Sequence, residues 1–202
     1  MMQFSFIEQI ALAIFLLSGI SFFLYHLLLR LKIVLKGKSD FSIDQLPKRI
    51  ARVFDEVILH KKVASGKRKS AGILHALVMY GFIFFGLITI NHFGMAFGLP
   101  IFSDSIRHTY FLFFGAPWAI LCSIGILGLA YRRFVIKPEA LGKFSSTSAI
   151  VSVFIVTLMV TYLIDEFHIL SGAAEKFNWW LHSGVIGGFL FLIPQSKHMH
   201  LV

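Results

Sequence analysis

Five long apolar runs, parted by short segments that carry nearly every basic residue, limit what this chain can fold into more than any other feature. The runs cover about residues 6–35, 71–97, 109–131, 146–169 and 179–200. A helix needs about 20 apolar residues to cross the roughly 30 Å hydrocarbon core of a bilayer, and each run is that long. In lipid the backbone must satisfy its own hydrogen bonds, so such runs cross as helices. Composition agrees: 57% of the 202 residues are hydrophobic and only 14% are charged, against about 25% in soluble domains. The expected fold is therefore all-α, an integral membrane bundle of five transmembrane helices in a single domain, 1–202. The first run has no basic leader and no small-residue cleavage site, so it reads as an uncleaved span.

The net charge of +9 is distributed as in the loops of a membrane protein, which argues against a nucleic-acid surface. Arg30 to Lys69 holds 12 of the 19 Lys and Arg residues, the Arg132-to-Lys143 loop holds four, and Lys197 adds one. Only Arg107 and Lys176 lie at the opposite ends of the runs. Because basic residues gather on the cytoplasmic side, the N-terminus is expected outside and the C-terminus in the cytoplasm. The chain reads as a multi-pass protein of the cell inner (plasma) membrane. Between the first two runs, 45–59 sets Leu46, Ile50, Val53 and Val57 at helical spacing among basic residues. That pattern describes a cytoplasmic amphipathic helix lying on the bilayer surface or, alternatively, docking a partner. The close on His200-Leu201-Val202 leaves the last run without a polar tail, as in a fragment with a cytoplasmic continuation or a subunit that hands directly to one.

Chemistry enters with the nine histidines, because polar groups inside a bilayer are costly and usually functional. His182 and His200 are 18 residues apart, five full turns, so they share a helix face about 27 Å apart along the axis. On the second run, His75 lies near the cytoplasmic end and His92, 17 residues on, about 25 Å higher. The antiparallel runs thus form two level pairs, His75 with His200 inside and His92 with His182 outside. Imidazole ligates iron well, and facing helices are where bundles hold cofactors. Two bis-histidine haems b are the expected cofactors, with the four histidines as iron ligands. The single cysteine, Cys122, excludes a haem-attachment motif and a cysteine-ligated Fe–S cluster within the chain. Glycines beside the histidines (Gly81, Gly86, Gly184, Gly187 and Gly188) would admit a macrocycle or simply close helix packing. An ideal helix turns His92 about 100° from the face of His75, which fits the outer pair poorly. His26, His60, His108, His168 and His198 read as packing, solvated or interfacial residues, with His198 a backup ligand. Asp165 and Glu166 close the fourth run beside His168, as a helix end meeting water or as a proton-exchanging cluster.

The final run resembles the last membrane helix of the nitrate reductase gamma-subunit family. The likeness rests on Trp179-Trp180-Leu181-His182 and on Pro194-Gln195-Ser196-Lys197-His198-Met199-His200. It implies haem ligation by His182 and His200 rather than His198. Asn91-His92-Phe93-Gly94-Met95 is similar to that family's distal-haem ligand segment. Gly72-Ile73-Leu74-His75-Ala76-Leu77 with Gly81-Phe82 looks like the second helix of a sub-branch, the membrane domain of heterodisulfide-reductase-like Fe–S oxidoreductases. Some of these are thought to link electron-transfer flavoprotein to quinone. Tyr131-Arg132-Arg133 and the Thr161-to-Glu166 run also match the sub-branch pattern. The spacing of His75 and His92 departs from the nitrate reductase subunit, and the Cys-rich Fe–S module of the sub-branch is absent from this sequence.

The expected function is electron transfer by a dihaem cytochrome b between a cytoplasmic Fe–S or flavin centre, on a partner or a missing domain, and membrane quinone. Arg107, Asp165 and Glu166 are the candidate quinone and proton site: a cation can hold a quinone carbonyl and carboxylates exchange protons. The competing location, beside the inner haem, would use Lys69, Lys197 and His198. The alternative is a haem-free transporter or structural anchor whose histidines bind metal or protons. No pair of Gly/Pro-broken helices in matching positions supports a transporter.

Overall fold

Where the helices start and stop follows from local chemistry. The computed structural model describes residues 4–37, 44–59 and 69–196. α1 (Phe6–Leu35) opens on a capping box, in which Ser5 and Glu8 each satisfy the other's backbone N–H, meeting two donors the first turn leaves free. α2 is Leu46–Val53, continued by a wider π-turn over Phe54–Ile58. α3 runs from Lys69 to Ala96 and stops at Gly98, whose φ of +71° suits glycine. α4 spans Asp104–Ile136 and starts on Ser103, whose hydroxyl accepts from the Ile106 amide. α5 (Ser146–Glu166) is capped in the same way by Ser145. α6 covers Gly172–Leu192.

α4 is not uniform. A π-turn at Phe111–Gly115 precedes Pro117, where the ring would otherwise press on the carbonyl four residues back. The wider turn absorbs that conflict inside a continuous span. A Cβ at Gly115 would run into the Tyr162 hydroxyl, so this glycine lets α4 and α5 close around that tyrosine.

No strand occurs among the described residues. α1, α3, α4 and α5 are long and apolar enough to cross a membrane, and the first, second and fourth lie close to the expected runs. The third begins at Asp104 and not near 109. α6 begins at Gly172, seven residues before the expected start, and ends at Leu192, short of the expected end near 200. Its extra turns carry Glu175, Lys176 and Asn178, and these polar groups keep the helix from reaching the hydropathy of the other four. In the bundle α3 packs on α4, α4 on α5, α5 on α6 and α6 on α1. α3 and α6 face each other without close backbone packing; rings bridge them, including Phe82 against Phe189.

Of the glycines, Gly187 meets the Phe15 ring, Gly188 the Phe154 ring and Gly81 the Cys122 sulfur. These three serve close packing. An added Cβ at Gly86 or Gly184 meets nothing. The apolar side of α2 is open, with Leu46, Ile50 and Val53 each about half exposed or more. The Tyr80 hydroxyl donates to the Ile58 carbonyl, tying the end of this segment to α3.

Candidate functional site

At one end of the bundle, buried polar side chains from α3, α5 and α6 converge. His92 comes from α3 and His182 from α6, and their ring centroids are 5.0 Å apart. His92 stacks on Trp179 at 4.6 Å and 16°, and its Nε2 lies 3.0 Å from the Ser183 hydroxyl. His182 is held from the other side: its Nδ1 lies 2.7 Å from Thr161 Oγ1. Thr161, Asn178 and Ser183 are all at most 4% exposed. Buried polar groups must be hydrogen-bonded or cost free energy, so these contacts fix how the three helices meet. Asn178 donates to the Thr161 carbonyl at 2.9 Å, and Asn91 accepts from the Ile101 and Phe102 amides, both at 2.9 Å. The Asn91 contacts fold the α3–α4 loop over the site.

Beside the two imidazoles lies a cavity of about 320 Å³, lined by both of them and by Arg107, Tyr110, Tyr162, Asp165, Glu166, His168 and Trp179. That volume is at the lower end of the roughly 300–1,000 Å³ of small-molecule pockets. Arg107 Nη1 pairs with Glu166 Oε1 at 3.5 Å. Arg107 Nε is buried without a hydrogen-bond partner among the described residues, a donor that a bound oxygen could satisfy. The Tyr110 hydroxyl donates to the Phe84 carbonyl at 2.7 Å, holding this wall to α3. A cavity with one aromatic side and one lined by Arg, Asp and Glu can hold a flat, oxygen-bearing ring and exchange protons with it.

The structure thus brings together His92, His182, Arg107, Asp165 and Glu166. The 100° offset of His92 from His75 does not keep it from His182, because His92 reaches across to α6 independently of where His75 points. His75 sits on α3, partly buried, far down the helix from this cluster. His60, Lys197, His198 and His200 lie outside the described residues. His26 packs against Phe22 and Tyr25, and His108 is exposed. His168 is also exposed yet contributes to the cavity wall. Sequence reasoning centred on histidines passed over Thr161, Asn178, Ser183 and Tyr162 as site residues. The available signal was the presence of such polar groups inside apolar runs.

No family model matches the chain, and no solved structure matches it. It is a distant homologue of a Bacillus subtilis (strain 168) protein named probable iron-sulfur-binding oxidoreductase FadF, at 30% identity over 212 residues. The alignment covers 89% of this chain but 29% of that protein, so the chain spans under a third of its relative's length.

Proposed function

We propose that this chain is a dihaem cytochrome b membrane subunit or domain, carrying electrons between a cytoplasmic Fe–S or flavin centre and membrane quinone. The observation that carries this reading is the meeting of His92 and His182 beside a cavity lined by Arg107, Asp165 and Glu166. The likeness to an iron-sulfur-binding oxidoreductase points to a role in redox electron transfer. With one cysteine in the chain, Fe–S centres would belong to a partner or a further domain.

The donor set suits a bis-imidazole haem. His92 and His182, with ring centroids 5.0 Å apart, would hold the iron through one ring nitrogen each once the rings draw apart to admit it, and Nε2 of His92 would exchange Ser183 for it. His75 and His200 would form the second, inner pair. When bound, the two haems would supply one-electron carriers stacked across the bilayer. The protein's part is to hold, orient and bury them, which sets their potential.

In this reading α6 is the fifth span, with the N-terminus outside and the C-terminus in the cytoplasm. α2 rests on the cytoplasmic surface with its apolar side in the bilayer and Lys48, Arg49 and Arg52 among the headgroups. The strongly basic cytoplasmic face suits an acidic redox partner. At the outer end Arg107 holds a quinone carbonyl by a charge-assisted hydrogen bond, and Asp165 and Glu166 pass protons to and from water.

Rapid-mixing oxidation of the reduced protein by a quinone analogue tests the site. Glu166→Gln should slow oxidation about a hundredfold, the lower end of the 10²–10⁴ range for general acid–base groups, with the visible spectrum and partner-driven reduction unchanged. If Glu166→Gln keeps the parental rate while Lys197→Ala loses it, the quinone site lies at the inner end instead.

A further inference from the structure

Thr161 makes two short contacts whose combination has a consequence for His182. Its Oγ1 is 2.6 Å from the Thr157 carbonyl oxygen and 2.7 Å from Nδ1 of His182. A hydroxyl carries one proton, and a carbonyl oxygen can only accept. The hydroxyl proton therefore goes to a backbone carbonyl, that of Thr157 or of Leu158 at 3.2 Å, and towards His182 the oxygen offers a lone pair. Nδ1 of His182 must then carry the imidazole proton. A neutral imidazole has one N–H, so Nε2 keeps its lone pair free for ligation.

Thr161 is itself held firmly. It is 4% exposed, and its carbonyl accepts from Asn178, one turn before His182 on α6. The register between α5 and α6 thus places the hydroxyl opposite Nδ1. His92 is anchored differently, through Nε2 to Ser183 and by its stack on Trp179, so of these two imidazoles it is His182 whose tautomer is set in this way.

We propose that Thr161 is a positioning residue that fixes the Nδ1–H tautomer and ring orientation of His182, making Nε2 the ligating nitrogen and tuning the metal it binds. The tuning part rests on the reading of His182 as a haem ligand; the tautomer part does not. An acceptor on the distal N–H raises the basicity of a ligating histidine and so favours the oxidised metal. Removing the acceptor should raise the reduction potential of that haem.

Two measurements on purified, dithionite-reduced protein test this: ¹⁵N NMR of labelled histidine, which reads the tautomer of His182, and a redox titration of each haem. The parent and Thr161→Ser should show His182 protonated at Nδ1. Thr161→Val should lose that signal or its hydrogen-bonded shift and raise the potential of one haem only. Thr157→Val should match the parent, because a backbone carbonyl is what orients the hydroxyl. A His182 protonated at Nε2 in the parent overturns the proposal even if Thr161→Val fails to fold. An unchanged potential in a haem-loaded Thr161→Val overturns the tuning role. A parent lacking the outer haem, yet showing the Nδ1–H tautomer lost in Thr161→Val, removes the haem reading and leaves the tautomer assignment standing.

Discussion

The two halves of α6 are held to the bundle by different physics. From Asn178 to Ser183 the helix is fixed by hydrogen bonds: Asn178 to the Thr161 carbonyl, His182 to the Thr161 hydroxyl and Ser183 to His92. From Gly187 onward it is fixed by shape, with Gly187 against Phe15, Gly188 against Phe154 and Leu190 against Gly19. Hydrogen bonds are directional and set the angle of a ring, whereas glycine-and-aromatic notches set only distance and register. A site that must aim a nitrogen needs the first kind of contact, and a helix that must only stay in place can use the second. The polar half is also where the cavity opens.

The largest expected effect is on the polar half. His182→Ala or His92→Ala should remove one haem of two, read as a halved pyridine haemochrome ratio, while the fold persists. Retention of both haems in either variant would separate this cluster from cofactor binding. Next comes the apolar half. Gly187→Val puts a methyl-bearing Cβ into the Phe15 ring, and overpacking of this kind costs about 1–3 kcal/mol. A lowered melting temperature in detergent with an unchanged haem ratio is the expected outcome; loss of the outer haem instead would show that the two halves are coupled. The smallest effect is that of Asn178→Ala, which removes one buried hydrogen bond worth about 1 kcal/mol. It should lower the melting temperature slightly and broaden the outer haem's titration less than Thr161→Val alters it.

Much of the architecture was legible in the sequence because hydropathy over 20 residues is a strong signal. α1 and α3 lie within two residues of the expected runs, and Arg107, Asp165 and Glu166 meet as their shared level implied. The start of α6 was not legible, since Glu175, Lys176 and Asn178 look like a loop until their partners are known: Lys176 pairs with Glu8 at 2.7 Å and Asn178 with Thr161. The roles of Thr161 and Ser183 were hidden for a related reason. A lone hydroxyl in an apolar run looks the same whether it bonds its own helix or a neighbour's imidazole, and only tertiary placement separates the two. The glycine-rich stretch after His182 was ambiguous between macrocycle and packing; at Gly187 and Gly188 packing holds, because aromatic rings already fill the space.

The whole reading turns on His92 of α3 and His182 of α6 holding haem. Reduced-minus-oxidised visible spectra of the detergent-purified protein, with a pyridine haemochrome count against protein concentration, test it most directly. A b-type spectrum and two haems per chain, falling to one in His182→Ala, are the expected outcome. A colourless, folded protein would contradict it, and a ratio of one that His182→Ala leaves unchanged would contradict the outer site.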